Sequence, residues 1–293
     1  MLQLTDAPEQ VGGVQGGWMK RFVLLSAVLA GIGFGQITID SADLAWAVGD
    51  SWSYKYCQTT ATVNVGSAGG PQAWAFDTAG FAGYVLTMGC VEVASTPFAG
   101  EFPQATGAFR EERGPWTLYF MRRLTGAEVT DLGFGLDAGG MMKAYVYHPP
   151  SVHVQLPATL GTAWQSDYYY DDSLDDTTCV RTMYATSHRI DAWGTATTPA
   201  GTWPCLRRNV LEFLREETWV NGAFAWAESS MTRRFFWGAE DVGTVAMCHS
   251  LENDTSPDFT VADDVMFLVR TNTAAVAEAP GRGRARLGCG PNP

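Results

Sequence analysis

The residues that can do chemistry are few, and the densest group lies in Thr197-Thr198-Pro199-Ala200-Gly201-Thr202-Trp203-Pro204-Cys205-Leu206-Arg207-Arg208. A cysteine becomes a nucleophile when a cation or a helix N-terminus lowers its pKa and a base stands nearby. On a strand, Arg207 shares the face of Cys205 and Arg208 points the other way. His148, His153 and His249 are distant in sequence, and His188 comes near only across a hairpin. The expectation is therefore a disulfide-bonded or packed Cys205 at the start of a strand. Pro199 and Gly201 supply the fixed and the left-handed φ that a corner requires.

The run from Asp167 to Asp176 carries five carboxylates, among them Asp171, Asp172, Asp175 and Asp176. Hard cations take oxygen ligands, so these four are the candidate calcium site, although the spacing is not that of an EF-hand. The alternative is a solvated acidic loop, and no other cofactor is expected. Glu111-Glu112, Glu212 and Glu216-Glu217 are the raw material for a glycosidase pair. Neighbouring glutamates on a strand face opposite ways, so no pair is predicted, and Glu212 and Glu216 read as an exposed face. Trp219, Trp226 and Trp237 flank Asn221-Gly222 and are the candidate binding residues, a platform on which sugar rings can stack; core or cross-strand packing is the alternative. Gly-x-Ser-x-Gly, His-Glu-x-x-His and phosphate-loop patterns are absent.

The elements that must position these groups read as strands. Aromatic residues make up 12% of the 293 residues and glycine occurs 32 times, with turn residues spread throughout, a composition for strands joined by tight connections. Asn221-Gly222 is the strongest hairpin signal. It joins a predicted strand over 202–220 to one over 223–237, after a strand over 184–196 and before strands over 242–250 and 259–270. Val48-Gly49-Asp50-Ser51-Trp52-Ser53-Tyr54-Lys55-Tyr56 and Leu160-Gly161-Thr162-Ala163-Trp164-Gln165-Ser166-Asp167-Tyr168 share an apolar-Gly-x-x-Trp-x-x-x-Tyr pattern. Each reads as the opening strand of one half of the molecule, with Tyr147-His148-Pro149-Pro150 between the halves. The expected fold is all-β and antiparallel, a strongly curved sheet or partly open barrel or sandwich with two related halves: an N-terminal half over 36–150 and a C-terminal half over 151–270.

Met19-Lys20-Arg21 and the apolar run that follows have the form of a secretory signal, so residues 1–35 read as an upstream segment and leader. The apolar run is too short for a span, and no membrane span is expected after cleavage. The formal charge of −12 excludes nucleic acid as a partner, because phosphate recognition needs surplus cations. In an exported chain, Cys57, Cys90, Cys179, Cys205 and Cys248 are disulfide candidates. Residues 271–293 read as a linker rich in Ala, Gly and Arg.

The order of the Gly-x-x-Trp strand, "DAWGTATTPAGTWPCLRR", the hairpin and "VGTVAMCHS" over 156–270 resembles a β-rich module of secreted type IX secretion system cargo. The closing Pro291-Asn292-Pro293 resembles the start of the sorting domain of such proteins, cut short. The resemblance implies a secreted or cell-surface location and contact with secretion machinery through a C-terminal sorting region. The functional expectation is a non-enzymatic module that binds a small molecule or glycan on the concave side of its sheet. The alternatives are an extracellular polysaccharide hydrolase and a structural spacer.

Overall fold

A computed structural model describes residues 36–78 and 81–272. The leader, most of the linker and the Pro-Asn-Pro tail lie outside the described residues. Fourteen strands follow in chain order: β1 Ser51–Cys57, β2 Ala61–Thr62, β3 Gly69–Ala75, β4 Tyr84–Val91, β5 Gly107–Arg113, β6 Trp116–Leu124, β7 Glu128–Asp137, β8 Met142–Gln155, β9 Ala163–Ser173, β10 Thr178–Thr198, β11 Gly201–Val220, β12 Ala223–Ala239, β13 Gly243–Ser250 and β14 Val261–Asn272. The described residues contain no α-helix, only a 3-10 turn at Val93–Ser95.

The sheet is all-β and antiparallel around its path, and it closes on itself. β1 pairs with β4, β4 through β14 follow as successive neighbours, and β14 returns to β1, with Cys57 opposite Val265. The curved sheet predicted from sequence is thus a closed twelve-strand barrel, with a backbone ladder at every junction of the ring except that of β8 with β9. Residues 58–78 leave the ring: β2 pairs with the start of β14, and β3 then runs parallel to β10 over the outer face. Trp74 and Phe76 from this excursion meet Trp237 at 5.8 and 4.9 Å. The approach is close enough to require glycine, since a Cβ on Gly194 would stand 2.0 Å from the Gln72 carbonyl oxygen. Residues 92–106 cover another part of the outer face, with Phe98 and Phe102 packed on Ala108, Met121 and Leu132.

Local sequence explains the corners. Asn221 and Gly222 take φ of 51° and 75°, the conformation of a tight hairpin turn, and join two strands of 20 and 17 residues. Gly49 and Gly161 both have positive φ and lead into β1 and β9, where Trp52 and Trp164 are buried. Tyr147 to Pro150 lie within β8, at the place where its register with β7 jumps from Val146 opposite Gly133 to Ser151 opposite Asp131.

The cysteines depart from expectation. Cys57, Cys90, Cys179, Cys205 and Cys248 are all free thiols. Cys57 and Cys248 both face Val265, from opposite sides of β14. That places them two strand spacings apart, about 9.5 Å, beyond the roughly 7 Å that a disulfide spans. Cys205 lies opposite Gly194, Cys90 opposite Phe109 and Cys179 opposite Trp219, so no ladder neighbour is a second cysteine.

Candidate functional site

β11 divides its two arginines between the faces of the barrel wall. Arg207 points outward, where Asp191 takes its Nε and Nη2 at 2.8 and 3.0 Å and Phe235 lies beneath the guanidinium. Cys205 shares that covered face, and burial raises its thiol to about 12, so it is no nucleophile. Arg208 points inward. Its Nη1 donates to the carbonyl of His153, and its guanidinium stacks 4.2 Å from the centre of the Phe236 ring.

Side chains from β6, β7, β8, β10, β11 and β12 meet around Arg208, and strands so far apart in the ring can converge only inside it. Three cavities of about 110, 170 and 150 Å³ adjoin there, and His153 and Phe236 line all of them. The first has an apolar wall that includes Ile39, Leu44, Val129, Ile190 and Leu206. The second is polar, with Ser151, Thr186, His188 and Glu212. The third is aromatic, lined by Trp46, Trp52, Tyr54 and Phe109.

The charges of this lumen are paired, with one exception. Asp131 accepts from Arg122 Nε at 2.7 Å and from His153 Nδ1 at 2.8 Å. Burial works to raise the Asp131 carboxyl, but Arg122 and the hydrogen bond from His153 outweigh it and hold the group well below the usual carboxylate range. Burial, with the nearby Arg122 and Arg208 cations, pushes His153 down to about 4 against the pull of Asp131, so at neutral pH it is an uncharged Nδ1–H donor. Glu212 binds Arg234 at 2.6 Å. His188, stacked on Trp164 with rings 4.8 Å apart, is pushed down to about 2 by burial and by Arg208. Across the first two cavities, Arg122, Arg208 and Arg234 therefore face only two carboxylates, Asp131 and Glu212. The surplus cation is Arg208. It has no carboxylate within 4 Å among the described residues, and burial lowers it to about 10, the sign of a charge held away from water without a full partner.

Beyond the cation lies a cluster of partly buried tyrosines. Tyr147 lies 4.5 Å from Tyr168, Tyr168 4.8 Å from Tyr184, and Tyr145 4.5 Å from Phe134. Burial raises the hydroxyls of Tyr145, Tyr147, Tyr168 and Tyr184 above the ordinary phenol value, so all are neutral donors.

The residues singled out from sequence are dispersed. Trp237 is fully buried beneath Trp74 and Phe76, whereas Trp219 and the half-exposed Trp226 sit at the far tip of the β11–β12 hairpin, where Trp219 contacts Phe224 at 5.6 Å. The three form no common platform. Asp171 is bound in a fork by Arg181, Asp172 by Lys143, and Asp175 accepts backbone N–H groups of Thr177 and Thr178. Among the described residues, no three His, Cys, Asp or Glu side chains gather as a metal site. Glu212, read as part of an exposed face, is 5% exposed and lines the lumen. Alternation identifies which residues share a face, and it cannot distinguish a water-lined interior from bulk solvent. Arg208, Val210 and Glu212 do alternate with Arg207 and Asn209, which was the available signal for a polar inner stripe.

No family model matches the chain, and no curated protein matches it. Two solved structures are similar. A candidate lipoprotein of Parabacteroides distasonis ATCC 8503 is 12% identical, with 77% of this chain and 96% of that one covered and a TM-score of 0.31. A candidate exported protein with a YmcC-like fold from Bacteroides fragilis NCTC 9343 is 10% identical, with 82% and 100% covered and a TM-score of 0.30. Similarity at this level carries no functional argument, and the fold assignment rests on the strand ladder described above.

Proposed function

We propose that this is an exported, non-enzymatic binding protein that holds a small amphiphilic anion inside its barrel. The carboxylate, sulfonate or phosphate head would sit on Arg208, and the apolar part would lie along Ile39, Leu44, Ile190 and Leu206. The observation that carries the reading is the buried Arg208 guanidinium, which faces two cavities with no carboxylate of its own. A buried charge without a partner costs free energy, and a ligand anion is the group that offsets it. Support for export comes from the leader-like segment of the sequence. The lumen's carboxylates are each engaged by a cation or a histidine, an arrangement that orients a bound head group and leaves no free acid and base pair for hydrolysis.

The test is titration with 1-anilinonaphthalene-8-sulfonate and with dodecanoate, followed by fluorescence and calorimetry. Arg208→Met should weaken both at least tenfold, the scale of one charge-assisted contact of about 1.5–3 kcal/mol. Equal affinity for dodecanoate and uncharged dodecanol, or unchanged binding by Arg208→Met, would overturn the reading.

A further inference from the structure

We infer that the ligand reaches the lumen sideways, through the seam between β8 and β9, which is held by side chains where every other junction of the ring has a backbone ladder. This rests on the lumen-binding reading above. His148 opposite Tyr169 is the single ladder pair between the two strands. On its other side, β8 is also loosely held, because residues 147–150 fall in the gap where its register with β7 jumps. Pro149 and Pro150 stand in that stretch and have no N–H to donate to either neighbour.

Side chains replace the missing ladder. Ser166 Oγ accepts the Val152 N–H at 2.9 Å, and Trp164 Nε1 donates to the Val152 carbonyl at 3.0 Å. Ser151 and Ser166 hydroxyls meet at 3.1 Å. Farther along, Tyr147 packs on Tyr168, Tyr145 donates to Asp172 at 3.3 Å, and Lys143 pairs with Asp172. Such contacts part by rotamer changes, whereas a ladder must be broken along its length. The seam also opens at the right place: Ser151, Val152 and His153 of β8 and Tyr168 of β9 are themselves walls of the polar cavity that holds Arg208. A head group passing between the strands meets Tyr168 and His153 and then the guanidinium.

Two measurements test the inference. Without ligand, those amides of 143–148 and 168–173 that point into the seam, away from the ladders with β7 and β10, should exchange at least tenfold faster than amides over 182–188 and 208–214, where β10 and β11 share a ladder. Equal protection would overturn the inference even if no probe binds. With ligand, Ala144→Cys and Ser173→Cys, which lie across the seam, should be linked by oxidation or a short bis-maleimide. The background should be Cys179→Ser, because Cys179 lies directly opposite Ser173. Linking should slow both association and dissociation of 1-anilinonaphthalene-8-sulfonate at least tenfold while Kd changes less than twofold. Rates that are the same in linked and unlinked protein would reject the seam while leaving the lumen site intact. Failure of the lumen reading would instead appear as binding indifferent to Arg208→Met.

Discussion

Arg208 is a side chain that works against the stability of the molecule and, in the proposed function, for binding. Burying a guanidinium without a carboxylate is costly, and an apolar replacement of similar length removes that cost. Arg208→Met is therefore expected to raise Tm in the absence of ligand even as it weakens anion binding, and a fall of several degrees would show that the cation is structural. His153 gives the pH dependence. Its folded pKa, about 4, lies below the ordinary 6.5, so the unfolded chain takes up more protons as the pH falls between those values. The contribution of His153 is thus complete above about 6.5 and is lost progressively toward 4. The groups that face it are Asp131, Arg122 and Arg208, and His188 follows the same direction. The depressed Asp131 adds a further loss only below its own unfolded value near 3.8. Thermal melts of the native chain between pH 7 and 4 should show a falling Tm, and His153→Gln should flatten the upper part of that fall. The thiols supply a residue-level check on the fold. Burial raises Cys90 to about 11 and Cys205 to about 12, so in the folded protein iodoacetamide should spare both and label Cys179 ahead of them. Rapid native labelling of Cys205 would contradict the packing described.

At the level of strands and turns, the C-terminal half was legible because its corners are chemically explicit. Asn221-Gly222 and Pro199-Ala200-Gly201 fixed where β10, β11 and β12 turn, and the predicted strand ends fall within two residues of those observed, except that β10 begins at Thr178, six residues before the predicted start. The Gly-x-x-Trp segments likewise mark β1 and β9. The pairing partners were not legible. Nothing local indicates that β14 meets β1, or that β3 doubles back onto β10, because these are contacts between distant parts of the chain. The lumen was hidden for the same reason: Arg122, Asp131, His153 and Arg208 are spread over almost ninety residues and share no motif. Expecting disulfides from compartment alone failed because the ladder register keeps the thiols on separate partners. The backbone-to-backbone approach of β3 and β10 yields a clear element-level expectation. Gly194→Ala would drive a Cβ into the Gln72 main chain, which cannot give way as a flexible side chain can. The variant should release β3 and lower stability by about 2–4 kcal/mol, the scale of overpacking with loss of buried contacts. Urea unfolding together with faster exchange over 69–75 would register it, and a wild-type midpoint would refute it.

For the molecule as a whole, closure is the controlling feature. In a ring of twelve strands each member has two neighbours, so stability is shared, and the final strand is as necessary as the first. A chain ending before β14 would leave both β1 and β13 unpaired on one side. It should lose its cooperative urea transition, as followed by tryptophan fluorescence, and a sharp transition in the shortened chain would show that closure is dispensable. The joining of residues 51–57 with 265–272 also has a temporal meaning. A polypeptide that emerges N-terminus first holds its opening strand in waiting for more than two hundred residues, with hydrogen-bonding groups and tryptophan faces that any neighbouring extended chain could capture. Assembly thus waits on β14, and whatever shelters the waiting strand in the cell must stay with it until that partner arrives.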